Sequence, residues 1–186
     1  MVQIIPAILA KTEEEYSKKL KKIEESDTFR EGWVHIDLMD GEFVEEKSIE
    51  PEIINKYPTG LKKEVHLMVQ NPQGWIDKLK NVDRIIVHGE VGGNFKNIAI
   101  NPDTPISILD NFQPEIVLIM GVHPGKQGQE FILEVLEKIK QLKAMGGNFK
   151  IGVDGGITPE NAKLIEDAGA DYLVVGSHLG EFNGGD

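Results

Sequence analysis

Two histidines and two aspartates stand in or at the ends of short apolar runs of this sequence: His35, Asp37, His66 and Asp154. His35 and Asp37 are two residues apart, so on a β-strand both side chains point to the same face. Imidazole nitrogens and carboxylate oxygens together suit one divalent ion such as Zn²⁺, Fe²⁺ or Mn²⁺. The sequence therefore offers a metal site, provided that the fold brings the four residues together.

Spacing alone does not select this set of ligands. A single histidine on a strand is more often a packed, hydrogen-bonded residue than a ligand, and His88 and His123 also stand at strand ends. Asp154 precedes two glycines and could be only a turn residue. The ligand set stays open at this point.

Three methionines, Met39, Met68 and Met120, stand at the ends of the same kind of apolar run. One methionine would be ordinary core filling, because its flexible side chain suits irregular gaps. Three near one site indicate an apolar lining that restricts water around a reactive carbanion or enediolate.

The elements that must position these residues alternate regularly. Short runs rich in Val, Ile and Leu are predicted strands, and amphipathic stretches between them, four of which begin with Pro, are predicted helices. The predicted strands are Gln3–Leu9, Trp33–Leu38, Glu64–Val69, Arg84–His88, Asn97–Ile100, Ile116–Val122, Lys150–Val153 and Tyr172–Val175. The predicted helices are Thr12–Glu25, Pro51–Lys56, Pro72–Lys80, Pro105–Asn111, Gln129–Met145 and Pro159–Ala168. Eight such strands predict a closed (β/α)₈ TIM barrel of parallel strands, formed by residues 1–186 as a single domain.

Two covering helices are missing from this pattern. After strand four there is only the glycine-rich segment Gly89–Lys96, and after strand eight only the residues beyond Ser177 remain. The strands concerned, through Ile85–Val87 and Leu173–Val175, are apolar on both faces and must be covered. Two kinds of cover stay open: a second copy of the chain in a homo-oligomer, or the chain itself through a local loop or the C-terminal tail.

Glycines follow the last three predicted strands in positions suited to a phosphate group. The loops after strands seven and eight commonly hold phosphate in such barrels, and the loop after strand six could close over a ligand. Glycines that merely end strands are the alternative. The candidate residues are Gly125, Gly128, Gly155, Gly156, Gly176 and Ser177.

Composition narrows the classes of partner. The net charge of −11 argues against nucleic acid and anionic membranes, and requires that any phosphate be held by local backbone N–H groups. No apolar run reaches the roughly 20 residues of a membrane span. The absence of cysteine excludes thiolate ligands and is compatible with a cytoplasmic protein.

The motifs that contain these residues resemble those of the ribulose-phosphate 3-epimerase family. The resemblance covers most of the chain, in family order, and its most specific part is His-x-Asp-x-Met-Asp-Gly combined with Val-His-Leu-Met-Val. The segments are His35–Gly41, Val65–Val69 with Asn71-Pro72, Asn101–Pro105, Met120–Gly125, Val153–Ile157 and Ala168–Ser177.

By this resemblance, His35, Asp37, His66 and Asp154 correspond to the metal ligands of the family, and the two aspartates to its acid/base pair. The implied reaction interconverts D-ribulose 5-phosphate and D-xylulose 5-phosphate at C3, a step of the pentose phosphate pathway. One aspartate removes the C3 proton, the metal stabilises the resulting cis-enediolate, and the other aspartate returns a proton to the opposite face.

The sequence departs from the family pattern where substrate would be recognised. Ala7 stands where the family usually has serine, and Lys126 and Gln127 replace a Phe-Gly pair in the loop after strand six. Two alternatives therefore stay beside the first interpretation. One is a related ketose-phosphate 3-epimerase, such as one for D-allulose 6-phosphate, and the other is a barrel that binds sugar phosphate without catalysis.

Overall fold

Eight parallel strands close into a barrel in the order in which they occur along the chain. The computed structural model describes residues 2–29 and 32–182. Parallel pairing of the first strand with the last completes the ring, so the predicted (β/α)₈ barrel is confirmed. The strands are β1 (Gln3–Leu9), β2 (Trp33–Met39), β3 (Lys62–Met68), β4 (Arg84–His88), β5 (Asn97–Ile100), β6 (Ile116–Met120), β7 (Lys150–Asp154) and β8 (Tyr172–Val175).

Four of the strands have the predicted bounds, and the others differ by one or two residues at an end. The largest differences are in β3, which begins at Lys62, and β6, which ends at Met120. The Lys63 side chain is buried and its ammonium donates to the Tyr57 carbonyl at 2.9 Å, which explains how a lysine lies within β3.

Two α-helices, Pro51–Lys56 and Pro159–Ala168, have the predicted bounds, and the other described α-helices are shorter than predicted. Gln129 remains in a loop because its side-chain amide donates to the carbonyls of His123 and Lys126, so the helix predicted from Gln129 begins only at Val135. The helix predicted over Pro72–Lys80 ends at Ile76, and Asn55 binds the following backbone at Lys78 and Lys80. The α-helices are α1 (Glu13–Glu24), α2 (Pro51–Lys56), α3 (Pro72–Ile76), α4 (Val135–Ala144) and α5 (Pro159–Ala168).

Three short 3₁₀ helices replace longer helices: Gly89–Val91, Ile106–Asn111 and Leu179–Phe182. The second corrects the α-helix predicted over Pro105–Asn111. The first and third lie where covering helices are missing, so the predicted reduction after β4 and β8 is confirmed.

The outer faces of β4 and β8 are covered by the same chain. Val87 belongs to a buried cluster against which Phe95 packs, and Leu173 and Val175 belong to a second one that Leu179 joins. All three strand residues are at most 1% exposed. The local-loop alternative therefore holds, and the ground for expecting a second subunit there is removed. Residues 183–186 of the predicted covering tail lie outside the described residues.

Among residues 2–29 and 32–182, no helix has both the length and the apolar character needed to cross a membrane.

Candidate metal centre

The fold brings four predicted residues to one point at the carboxyl ends of the strands. His35 and Asp37 lie on β2, His66 lies beside Asp37 on β3, and Asp154 is the last residue of β7. Each residue contributes one nitrogen or oxygen atom, and these four atoms all lie within 4.8 Å of one another. The predicted common face of His35 and Asp37 is confirmed, since both side chains meet at this point.

The shortest contacts centre on the Asp37 carboxylate. Its Oδ1 atom lies 3.2 Å from Nε2 of His35 and 3.0 Å from Nδ1 of His66. Oδ2 of Asp154 faces the same two nitrogens at 3.8 and 3.7 Å. Two imidazole nitrogens and two carboxylate oxygens, all buried, therefore converge, and this donor set could hold one divalent ion.

The second ring nitrogen of His35 is held by a buried carboxylate. Nδ1 of His35 lies 2.5 Å from Glu64, and Glu64 also forms an ion pair with Arg84. The guanidinium of Arg84 stacks on the Trp33 ring at 4.1 Å from its centroid. A carboxylate behind a histidine fixes the orientation and tautomer of the ring, as in many metal sites.

The sequence interpretation missed Glu64 and Arg84. A signal for Glu64 was present, because it stands two residues before His66 on β3 and so shares its face. Arg84 begins β4 and lies opposite Glu64 in the parallel register, which places the two charges side by side.

The other two strand-end histidines lie outside the four-residue cluster. His88 is fully buried behind His66, with 3.0 Å between the two Nε2 atoms. The His123 side chain is 60% exposed and faces Asp103 at 3.7 Å. Of these four histidines, His35 and His66 are the two that lie in the cluster that could hold a metal ion.

The environment drives the pKa values of the two aspartates apart. Burial, and then the charge of Asp37, raise the pKa of Asp154 from 3.8 to about 6. Burial also acts to raise the pKa of Asp37, but the charge and hydrogen bonds of His35, followed by those of His66, bring it below its usual range. Burial disfavours charge on His35, yet Asp37 and Glu64 hold its pKa well above 6.5. One carboxyl is thereby set to stay ionised while the other holds a proton more readily, as in enzymes with paired acid and base groups.

A cavity opens above the two aspartates at the mouth of the barrel. Met68 and Met120 line it, whereas Met39 is buried but is not among the lining residues. All six residues predicted to bind phosphate border this cavity: Gly125, Gly128, Gly155, Gly156, Gly176 and Ser177.

The family model described as ribulose-phosphate 3 epimerase family matches residues 3–179 of the chain. The chain belongs to the ribulose-phosphate 3-epimerase family. Membership makes it an epimerase, an enzyme of the isomerase class.

Curated relatives agree over most of the chain. A ribulose-phosphate 3-epimerase from Chlamydia pneumoniae is 38% identical over 186 residues, which cover 87% of this chain and 80% of the relative. The Methanocaldococcus jannaschii protein of the same name is 36% identical, with 96% of this chain and 84% of the relative covered. The chloroplastic ribulose-5-phosphate-3-epimerase of Arabidopsis thaliana is 34% identical, with 94% and 70% covered.

Solved structures that match the epimerase with low sequence identity support the fold alone. Phosphoribosyl anthranilate isomerase from Thermus thermophilus aligns with a TM-score of 0.62 at 15% identity, covering 96% of this chain and 88% of that one. A glycerol uptake operon antiterminator regulatory protein from Listeria monocytogenes gives a TM-score of 0.61 at 15% identity, covering 98% and 96%.

Two glycines of the epimerase after β7 have a structural reason to be glycine, whatever ligand they face. Gly155 and Gly156 have φ values of 102° and 69°, in the left-handed region that L side chains rarely adopt. A Cβ atom on Gly156 would also lie 2.5 Å from the backbone nitrogen of Phe131. Their place on the cavity wall is therefore compatible with phosphate binding but is explained by the backbone without it.

The three departures from the family pattern all face the cavity of this epimerase. Ala7, Lys126 and Gln127 are among its lining residues. The Gln127 amide nitrogen lies 3.2 Å from the point where a Cβ atom on Gly176 would stand, so Gln127 packs over the loop after β8. The departures thus lie on the phosphate-candidate side of the cavity.

Proposed function

We propose that this epimerase interconverts D-ribulose 5-phosphate and D-xylulose 5-phosphate by inverting C3, with one divalent metal ion at His35, Asp37, His66 and Asp154. The observation that carries the proposal is the pair of buried aspartates facing one cavity with opposite pKa shifts. Family membership supports a ketopentose phosphate as the substrate.

Inversion at C3 requires a proton to leave one face of the carbon and another to arrive at the opposite face. Asp37 and Asp154 come from β2 and β7, which are separated around the barrel by β1 and β8. A substrate held against the cluster at the mouth of the barrel would meet one carboxyl group approaching from each side. The ionised aspartate accepts the C3 proton, and the protonated one donates to the resulting cis-enediolate. The roles exchange for the reverse reaction.

The donor set suits Zn²⁺, Fe²⁺ or Mn²⁺ equally well on chemical grounds. A bound divalent ion would act as a Lewis acid and stabilise negative charge that develops on the substrate oxygens. The same four residues also hold one another in place, because Asp37 accepts from both His35 and His66.

The remaining lining supports a phosphorylated substrate and a dry reaction centre. Three loops line one side of the cavity and offer backbone N–H groups that can donate hydrogen bonds to an anion: Gly125–Gly128, Gly155-Gly156 and Gly176-Ser177. Such local donors are needed because the chain carries a net charge of −11. Met68 and Met120 limit water beside the aspartates, and Met39 adds apolar bulk nearby at the end of β2.

The test is turnover of D-ribulose 5-phosphate by protein supplied in turn with Fe²⁺, Mn²⁺ or Zn²⁺. Metal-dependent formation of D-xylulose 5-phosphate is expected for the wild type, with a large loss for Asp37→Asn and Asp154→Asn. Glu115→Gln is a matched control, because it also replaces a carboxylate by an amide, but at an exposed residue paired with Lys96. Binding of the sugar phosphate without turnover would replace the proposal by a non-catalytic binding barrel.

A related ketose-phosphate 3-epimerase is the second candidate. The observation that favours it is the position of Ala7, Lys126 and Gln127 on the cavity wall, where they alter the surface that a substrate meets. Comparing kcat/KM for D-allulose 6-phosphate and D-ribulose 5-phosphate decides between them. A higher value for the hexose phosphate would establish the second candidate.

A further inference from the structure

A buried histidine and a half-buried glutamate outside the four-residue cluster continue it away from the cavity. His88 contacts the rear of His66, with 3.0 Å between the Nε2 atoms, and its own Nδ1 lies 3.1 Å from Oε2 of Glu90. The rings of His66 and His88 are stacked with centroids 5.0 Å apart, and the Phe43 ring packs against His88 at 4.5 Å. His88 therefore has a fixed place between a candidate metal ligand and a carboxylate.

Glu90 is itself fixed from the other side. Its Oε1 atom accepts a hydrogen bond from the Asn101 backbone N–H at 2.8 Å and another from the Thr104 hydroxyl. The backbone around them is clamped by Lys138, whose ammonium donates to the carbonyls of Asn101, Pro102 and Thr104. The other carboxylate oxygen, Oε2, is left to face His88.

These contacts determine where the protons lie. A carboxylate only accepts, so Nδ1 of His88 must donate to Glu90. A neutral His88 then has a bare Nε2, which can only accept from Nε2–H of His66. Without a metal, Nδ1 of His66 faces the Asp37 carboxylate at 3.0 Å and donates to it. A metal ion at the cluster would take the place of that proton, and with its other proton kept on Nε2, His66 would offer the lone pair of Nδ1 to the ion.

We propose that His88 and Glu90 are positioning residues that keep a proton on Nε2 of His66 and so leave its Nδ1 available to a metal ion. The proposal rests on the proposed function only in taking His66 as a metal ligand. It assigns to β4 and its short following segment a part in building a site whose ligands come from β2, β3 and β7.

Glu90→Gln should reverse the whole relay while hardly changing its shape. The two donors at Oε1, Asn101 N–H and Thr104 O–H, hold the glutamine carbonyl there, so the amide NH₂ group faces His88. Nδ1 of His88 must then accept, and its proton moves to Nε2. His66 would have to accept at Nε2 and carry its proton on Nδ1, the atom that should bind metal. Loss of such an outer partner typically weakens metal binding about 10–100-fold.

The experiment combines nitrogen NMR of ¹⁵N-histidine-labelled protein with Zn²⁺ affinity measured against a fluorescent chelator. The metal-free wild type is expected to show the His88 proton on Nδ1, and the Zn²⁺-loaded wild type the His66 proton on Nε2. Glu90→Gln should move the His88 proton to Nε2 and weaken Zn²⁺ binding about 10–100-fold. Glu115→Gln, the same chemical change at an exposed site, should leave both readings unaltered.

A double variant keeps the test decisive if Glu90→Gln by itself disturbs packing. In His88→Leu the relay is already cut, so adding Glu90→Gln should cause no further loss of Zn²⁺ affinity. A full additional loss in that background would overturn the proposal.

Failure of the relay and failure of the proposed function give different results. A His88 proton found on Nε2 in the metal-free wild type would overturn the relay and leave the epimerase reaction standing. A wild type that shows the expected tautomers and binds Zn²⁺ but turns over no sugar phosphate would support the relay and overturn the function.

Discussion

Replacing each aspartate by asparagine in the metal-free protein should change stability in opposite directions. Asp154 accepts no short hydrogen bond from the two histidines, and its pKa is raised from 3.8 to about 6 by burial and by Asp37. Asp37 instead is stabilised as the ion by His35 and His66. Ionised Asp154 is therefore unfavourable in the folded state, whereas ionised Asp37 is favourable.

The size of the Asp154→Asn effect follows from the difference in the pKa of Asp154 between the folded and the unfolded state. A carboxyl whose pKa is higher in the folded than in the unfolded state binds protons more tightly when folded, so its contribution to stability falls as pH rises from 3.8 to 6. At 1.36 kcal/mol for each pH unit the loss is about 3 kcal/mol above pH 6. An asparagine side chain cannot ionise, so Asp154→Asn should stabilise the metal-free protein by about 3 kcal/mol at pH 8 and hardly at all below pH 4.

Asp37→Asn should have the opposite sign and the opposite pH dependence. The lowered pKa of Asp37 means that its stabilisation is present above its ordinary value of 3.8 and is lost as pH falls. Removing the carboxylate charge leaves His35 and His66 without their buried partner, which costs about 1–3 kcal/mol. This destabilisation should stay constant between pH 4 and 8 and shrink only below pH 3.8, where the unfolded chain takes up a proton on this carboxyl before the folded chain does.

The assay is urea unfolding of chelator-treated wild type and both variants at several pH values between 4 and 8, followed by circular dichroism. The quantity compared is the variant-minus-wild-type difference in unfolding free energy, because other titrating groups cancel in it. An Asp154→Asn difference that is independent of pH, or destabilising at pH 8, would refute the account of this site. So would a stabilising effect of Asp37→Asn.

Three further predictions concern the pH dependence of metal binding, the stability contributed by the ion pair behind His35, and substrate binding at Ala7. Zn²⁺ binding requires Asp154 and His35 to lose protons, and the pKa values of both are raised in the metal-free chain. Chelator competition should therefore show Zn²⁺ affinity falling about tenfold per pH unit below pH 6 for each proton displaced. An affinity that does not change with pH would contradict this. Glu64→Gln should destabilise the protein by about 3–5 kcal/mol in urea unfolding, because Arg84 loses its buried partner, and unchanged stability would show that this pair contributes nothing. Ala7→Ser should lower KM for D-ribulose 5-phosphate about fivefold if a hydroxyl there gains one hydrogen bond of about 1 kcal/mol, and steady-state kinetics with an unchanged KM would indicate that this wall does not touch substrate.

The barrel could be predicted from the sequence because each strand is marked by a short apolar run that can be recognised without knowing its neighbours. Runs such as Ile85–Val87 are apolar on both faces, as buried parallel strands must be, and the predicted strands end near Gly, Asp, Asn or His. Helix bounds were less well predicted because side chains at a distance decide them. The turn after α3 depends on Asn55, and the late start of α4 depends on the Gln129 amide bonding to its own loop.

The candidate site was only partly visible in the sequence. His35 and Asp37 share a face by spacing, but their meeting with His66 and Asp154 depends on register across β2, β3 and β7. The family motifs compensated for that missing information. The supporting residues Glu64 and Glu90 were missed because the sequence does not show which side chain a carboxylate in or just after an apolar strand will contact.

The most direct test of the central claim is the reaction run in D₂O with metal-loaded wild type and D-ribulose 5-phosphate, followed by proton NMR of both sugars at C3. Two aspartates acting on opposite faces predict that each D-xylulose 5-phosphate molecule formed carries deuterium from solvent at C3. Product that retains the original C3 hydrogen, or no product despite bound metal, would contradict the two-aspartate account.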